Sequence, residues 1–237
     1  MTELSFLRTD ALSPDLSQHL RRGIFVTGTD TEVGKTFVSA ALTRKLQAHY
    51  WKPVQTGPVE DHDQPTVQRL SGLPDSHFSA CHSIFPDPLS PHEAAKRVGK
   101  TLDFASVDFP AVEGDPFWLV EGAGGALVPL DDTHLMTDLM KVLGLPVVIV
   151  SRSGLGTINH TLLTLEALRS RAIEVAGVIM NGPENPANRE AIENYGKVEV
   201  LAELPRLDTV TSKTMESLMP HLDHAADILV KRSRGNE

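Results

Sequence analysis

Apolar residues in this chain gather in short, nearly unbroken runs separated by amphipathic stretches. Ile24-Phe25-Val26, Phe117-Trp118-Leu119-Val120, Val147-Val148-Ile149-Val150 and Val178-Ile179-Met180 are the clearest. Such runs predict strands covered on both faces, as in a parallel sheet. Helical spacing lies between them: at 34–47, where Phe37, Val38, Ala40, Ala41 and Leu42 are apolar; at 63–70, with Val67 and Leu70; and at 159–169. Residues 49–54 predict a second strand, closed by the turn Gln55-Thr56-Gly57-Pro58, and the proline-marked stretch 72–90 predicts loop. Ser90-Pro91-His92-Glu93 predicts a helix start, with Ser90 as N-cap, Pro91 at the first helical position and Glu93 completing a capping box. Strands alternating with helices predict an α/β fold: one domain, a mostly parallel sheet, and helices on both faces. Right-handed crossovers then bring the loops after the strands to a single edge, where ligands of such folds bind.

The residues with chemistry fall on that edge. Residues 28–36 read Gly28-Thr29-Asp30-Thr31-Glu32-Val33-Gly34-Lys35-Thr36, directly after the first strand. A glycine-rich turn ending in Gly-Lys-Thr and opening a helix aims backbone N–H groups at phosphate. Lys35 would reach the β- and γ-phosphates, and the Thr36 hydroxyl would hold Mg²⁺. The usual spacing puts the first glycine at 29; here Gly28 comes one residue early, which makes the loop a variant. Lys52 ends the second predicted strand, where a cation can hold a transferring phosphoryl group. Glu121 follows an apolar strand and precedes Gly122-Ala123-Gly124-Gly125, a position suited to an oxygen ligand for Mg²⁺. Asp61 and Asp63 both offer a second carboxylate, and spacing alone leaves the choice open. Residues 154–160 precede a helix whose free N–H groups suit a carboxylate. Asn181, at a strand end, suits the donor and acceptor edge of a base, and turn formation explains it equally well.

Composition narrows the classes. The 237 residues allow one domain with a large core. Net charge is −9, from 22 basic and 31 acidic residues, which argues against nucleic acid or an anionic membrane as partner. Cys81 is the single cysteine, so neither an intrachain disulfide nor an ordinary cysteine zinc site is expected. No apolar stretch nears the ~20 residues of a membrane span. The opening segment carries Arg8, Asp10 and Asp15 and does not read as a secretory signal, so a cytoplasmic location is expected. Residues 1–22 read as an N-terminal extension to a domain at 23–237.

Taken together these residues resemble the dethiobiotin synthase family. The 28–36 loop matches that family position by position, including the early glycine. Tyr50-Trp51-Lys52-Pro53-Val54-x-Thr56-Gly57, Val120 to Gly125, Ser90-Pro91-His92, residues 155–160 and Asn181 match further segments. The resemblance covers about 23–210. It implies an ATP-dependent ligase joining CO₂ to 7,8-diaminononanoate, with Mg²⁺, in a cytoplasmic homodimer. It implies that ATP is held by the loop from Asp30, Thr31, Glu32, Val33, Gly34, Lys35 and Thr36 to Phe37, by Asp63, and by Glu121, Gly122, Ala123 and Gly124. Asn181 and Gly182, with Pro205, Arg206 and Leu207, would surround the adenine. By the same resemblance Thr36, Asp63 and Glu121 bind the metal, while Lys52 and Lys35 act on the transferring phosphate. Thr56, Gly156, Thr157 and Asn159 would contact the diamine, the last three across the subunit interface. Thr56 stands where many relatives have serine, and the short link before Lys52 predicts a truncated second strand. Two other classes share the loop. Nucleotide-switch ATPases usually carry an extra lysine early in it, where this chain has Asp30 and Thr31. ATP-dependent amidoligases bring a glutaminase cysteine that is not found here.

Overall fold

The computed structural model describes residues 21–233. The proposed extension at 1–22 therefore lies almost wholly outside the described residues. In chain order the elements are β1 (Gly23–Gly28), α1 (Lys35–Leu46), β2 (His49–Trp51), β3 (Val54–Thr56), α2 (Asp63–Ser71), β4 (Phe78–Ser79), β5 (Ser83–Phe85) and α3 (Pro91–Arg97). There follow β6 (Trp118–Gly125), α4 (Met136–Leu143), β7 (Val147–Arg152), α5 (Thr157–Arg169), β8 (Val175–Asn181), α6 (Pro186–Gly196), β9 (Val200–Leu204), α7 (Ser212–Met215) and α8 (Asp223–Arg232). Seven strands form one sheet in the order β4-β2-β6-β1-β7-β8-β9, and every pairing is parallel.

The near-continuous apolar strands are explained by two separate cores. Successive residues alternate between faces. Phe25, Trp118, Val120, Val147 and Ile149 pack with α3, α4, α5 and α6 on one side. Ile24, Val26, Leu119, Val148 and Val150 pack with α1, α2 and α8 on the other. A strand buried on both faces has no polar position to spare, so the sequence shows no alternation.

Three expectations need correcting. The strand expected at 49–54 is two strands in different sheets. Pro53 has no N–H to give the ladder, and the chain leaves the main sheet at Lys52. Pro53 O then accepts from Ser83 N at 3.0 Å, and β3 pairs with β5 in a two-stranded sheet of its own. The truncation of the second strand is thus present, with β2 only three residues long. The loop-rich stretch 72–90 contains two short strands, β4 and β5. The capping box at α3 does not form: Ser90 is the N-cap without a side-chain capping bond, its Oγ lies 3.0 Å from His92 Nδ1, and Glu93 faces Arg97.

Candidate active site

Strand register assembles the site. β1 lies between β6 and β7, so the loop leaving it emerges flanked by both neighbours. Val26 is opposite Glu121, two residues before the glycine that starts the loop. Trp51 is opposite Val120, and the next residue on each strand is Lys52 and Glu121. On the other flank Arg152 of β7 is opposite Asn181 of β8. Gly34 caps α1 in the left-handed region, at φ 95°, which L side chains rarely adopt. A Cβ there would also sit 2.0 Å from Asn181 Nδ2. That nitrogen donates to Val33 O at 3.0 Å, tying β8 to the loop.

Beside α1 lies a compact charge cluster. Thr36 Oγ1 donates to Asp63 Oδ1 and lies 3.3 Å from Glu121 Oε1. Lys52 Nζ is 2.9 Å from Asp63 Oδ2 and 3.3 Å from both Glu121 Oε1 and Gly122 O. Tyr50 donates its hydroxyl to Glu121 Oε2 at 3.1 Å. Lys52 is 3% exposed and Glu121 1%. Glu121 is therefore not a loop residue, as its position before Gly122-Ala123-Gly124 suggested. The glycines continue β6, and the carboxylate stands inside the sheet. Asp63 opens α2, where Gln55 Oε1 accepts from its backbone N–H at 3.1 Å. Asp61 is exposed in the preceding turn, so of the two candidate acids it is Asp63 that reaches the cluster.

The electrostatics follow from this packing. Burial alone would lower the Lys52 ammonium; Glu121 and then Asp63 outweigh it and hold the group above its ordinary value, so it stays cationic. Burial pulls Lys35 below the usual lysine value, with Glu121 opposing. Burial raises Asp63, but Lys52 and the bonds from Thr36, Lys52 and Gln55 bring it below the usual carboxylate value. Tyr50 is pushed well above an ordinary phenol by burial and then by Glu121, so its hydroxyl remains a donor. Lys35 Nζ donates to Asp30 O at 3.0 Å.

The far flank is open. A cavity of about 450 Å³ is lined by Glu32, Val33, Arg152, Ser153, Gly154, Asn181, Gly182, Pro183, Glu184, Asn185 and Arg206. Of the residues expected around a base, Asn181, Gly182 and Arg206 line it and Pro205 and Leu207 do not; it adds Arg152, whose Nη2 donates to Thr31 O at 3.2 Å. Pro205 and Leu207 flank Arg206 and are half-buried. Phe37 packs against the α1-side core and Thr56 ends β3. Helix α5 begins at Thr157 with Gly156 as its cap at φ 90°. Thr157 is buried and its hydroxyl donates to Arg152 O at 2.5 Å, whereas Asn159 is exposed. Sequence reasoning gave Tyr50, Gln55 and Arg152 no role. Only Arg152 left a usable signal, since it ends an apolar strand on the ligand edge.

An all-parallel sheet with a Gly-Lys-Thr loop at its centre, a threonine and two carboxylates beside it, and an open cavity on its far flank defines a P-loop nucleoside-triphosphatase. A family profile described as an AAA domain matches residues 22–214. The chain is 54% identical over 199 residues to the ATP-dependent dethiobiotin synthetase BioD of Paramagnetospirillum magneticum, covering 84% of this chain and 95% of that one. It is 42% identical over 204 residues to the protein of the same name from Agrobacterium fabrum, covering 86% and 95%. The chain belongs to the ATP-dependent dethiobiotin synthetase family. A plasmid partition protein of Borrelia burgdorferi B31, solved with AMPPNP, shares the fold alone: TM-score 0.57 and 8% identity over 90% of this chain and 99% of that one.

Proposed function

We propose that this chain closes the ureido ring of dethiobiotin from 7,8-diaminononanoate and CO₂, driven by ATP. One amine adds to CO₂ as a carbamate. A carbamate oxygen attacks the γ-phosphate and displaces ADP. The second amine attacks the resulting mixed anhydride, expels phosphate and closes the ring. The observation that carries this reading is the ion-paired cluster of Lys52, Asp63, Glu121 and Thr36 beside the Lys35 loop, in a member of this family.

The roles follow from chemistry the residues can perform. Lys35 and the loop amides hold the phosphates. Lys52, kept cationic, faces the charge that develops as carbamate oxygen meets γ-phosphate, and such positioning and charge stabilisation are most of phosphoryl-transfer catalysis. Thr36, Asp63 and Glu121 present only oxygen donors converging on one another, a donor set that fits Mg²⁺. Held by these residues, such a cation would supply positive charge against the phosphates. Gly122, Ala123 and Gly124, which follow Glu121 along β6, would face the phosphates on this reading. Asn181 and Arg206 suit the base, the Asn181 side-chain nitrogen also serving Val33 O. Thr56 suits the diamine. The α5 start, with Gly156, Thr157 and exposed Asn159, suits the carboxylate of a substrate whose amines lie in the partner subunit of a homodimer. A cytoplasmic location belongs to the same biosynthetic reading. No helix among the described residues is long and apolar enough to cross a membrane.

Phosphate release, measured while ATP, diamine and bicarbonate are omitted in turn, tests the reaction. Release should require all three; vigorous turnover without diamine would overturn it. Mixing inactive Lys35→Ala and Asn159→Ala proteins tests the shared site. Exchange of subunits should restore activity, and a monomer by light scattering would refute the dimer.

A further inference from the structure

Glu121 is gripped from two sides, and the functional reading uses one of them. Its Oε1 lies 3.3 Å from Thr36 Oγ1 and 3.3 Å from Lys52 Nζ. Its Oε2 accepts 3.1 Å from the buried Tyr50 hydroxyl. Tyr50 is 0% exposed, and its ring packs into the core that also holds Val38 and Leu42 of α1 and Val67 of α2. The strand fixes it too: Tyr50 of β2 is opposite Leu119 of β6, two residues before Glu121. A ring held by a strand register and two helices gives its hydroxyl one place to point. A carboxylate on a single torsion is otherwise free to turn both oxygens toward Lys52.

The geometry points to Tyr50 as a positioning residue: its hydroxyl holds Oε2 in the interior so that Oε1 is the oxygen presented to Thr36, Lys52 and a bound divalent cation. This rests on the reading of Glu121 as a metal-side carboxylate. Without the hydroxyl, Oε2 becomes a buried acceptor with no donor, and the carboxylate gains by rotating onto Lys52. Partners that orient a metal-side carboxylate typically matter by about 10–100-fold in metal affinity or activity.

Tyr50→Phe removes one oxygen and keeps the ring. The probe is Mn²⁺, titrated by electron paramagnetic resonance into protein saturated with AMPPNP, alongside the thermal midpoint. The variant should bind Mn²⁺ about 10-fold or more weakly. The Mg²⁺ concentration for half-maximal phosphate release should rise in parallel, with KM for the diamine unchanged. A purely structural role would lower the midpoint and leave Mn²⁺ affinity at the wild-type value; that result overturns the proposal, as does no change in either. 3-Fluorotyrosine at position 50 keeps the hydroxyl and should keep wild-type Mn²⁺ affinity, and weakening there would also overturn it. If wild-type protein with AMPPNP binds no Mn²⁺, the metal reading of Glu121 falls and Tyr50 with it, an outcome distinct from equal binding by both proteins.

Discussion

On the β6 flank of the phosphate loop, Thr36, Lys52, Asp63, Glu121 and Tyr50 meet one another's charges and hydrogen bonds inside the protein. On the β7 flank, Arg152, Asn181 and Arg206 line an open cavity of about 450 Å³, with Arg152 and Arg206 exposed. The first region is built before any ligand arrives, and its dipoles need little reorganisation when charge develops. The second contributes mainly contact area and a few orienting polar groups, as ligand cavities do. Substitutions on the β6 flank should therefore damage turnover and sometimes the fold. Those on the β7 flank should act on nucleotide affinity.

The hardest test is Glu121→Ala. It strands the Lys52 ammonium, which is buried, with Asp63 as its remaining carboxylate. Breaking a buried pair costs about 3–5 kcal/mol, and loss of the clamp should cut phosphate release by ~10²-fold or more. Urea unfolding read beside turnover checks both. An unchanged unfolding midpoint would show that the cluster is not coupled to the fold, as a loop position would have implied. Lys35→Ala should match it in lost turnover, again by ~10²-fold or more, but hold its midpoint, because its ammonium bonds a single backbone carbonyl. Gly34→Ala strikes the joint between the flanks. A positive φ and a Cβ pressed on Asn181 should raise KM for ATP about 10-fold and lower stability by ~1–3 kcal/mol. Asn181→Ala removes one tie to Val33 O, about 1 kcal/mol. KM for ATP should rise by a factor near ~5, with kcat within twofold of wild type; a matching fall in kcat would move Asn181 to the chemical side.

The smallest effect is set by pH. Asp63 is held below the usual carboxylate value, so its charge adds stability that is fully present above the unfolded value near ~3.9. That stability is lost as pH falls through the lowered folded value. The stability gap between wild type and Asp63→Asn should shrink on acidification below about pH 4. A gap that stays constant would mean the charge of Asp63 adds nothing.

The β6 flank was also the more legible in sequence, though incompletely. Lys35 and Thr36 sit in a local motif whose chemistry needs adjacent residues, so spacing alone exposes them. Glu121 announces itself by ending an apolar run just before a glycine-rich one. What failed to show were features set by register between distant strands. The break at Lys52-Pro53 depends on Ser83 being there to receive the chain. Tyr50 reads as an ordinary strand residue until β2 lies against β6. Gln55 supplies α2 with its cap from eight residues away, across a turn that no periodicity marks. The reverse error occurred at Ser90-Pro91-His92-Glu93, where a sound local signature lost its side chains to His92 and Arg97.

The position of β1 has a consequence for how the protein is made. It comes first in chain order among the described strands, yet its two partners are among the later ones: Gly23 pairs with Trp118, and Phe25 with Val147. Neither edge of β1 has its ladder until β6 and β7 have emerged. Chain closure of that length is slow to recover its entropy. The nascent amino-terminal half therefore carries an apolar strand and a glycine-rich loop with nowhere to dock. A translational pause before residue 147 would prolong that exposure and invite chaperone capture, and nucleotide could rescue the polypeptide only after it.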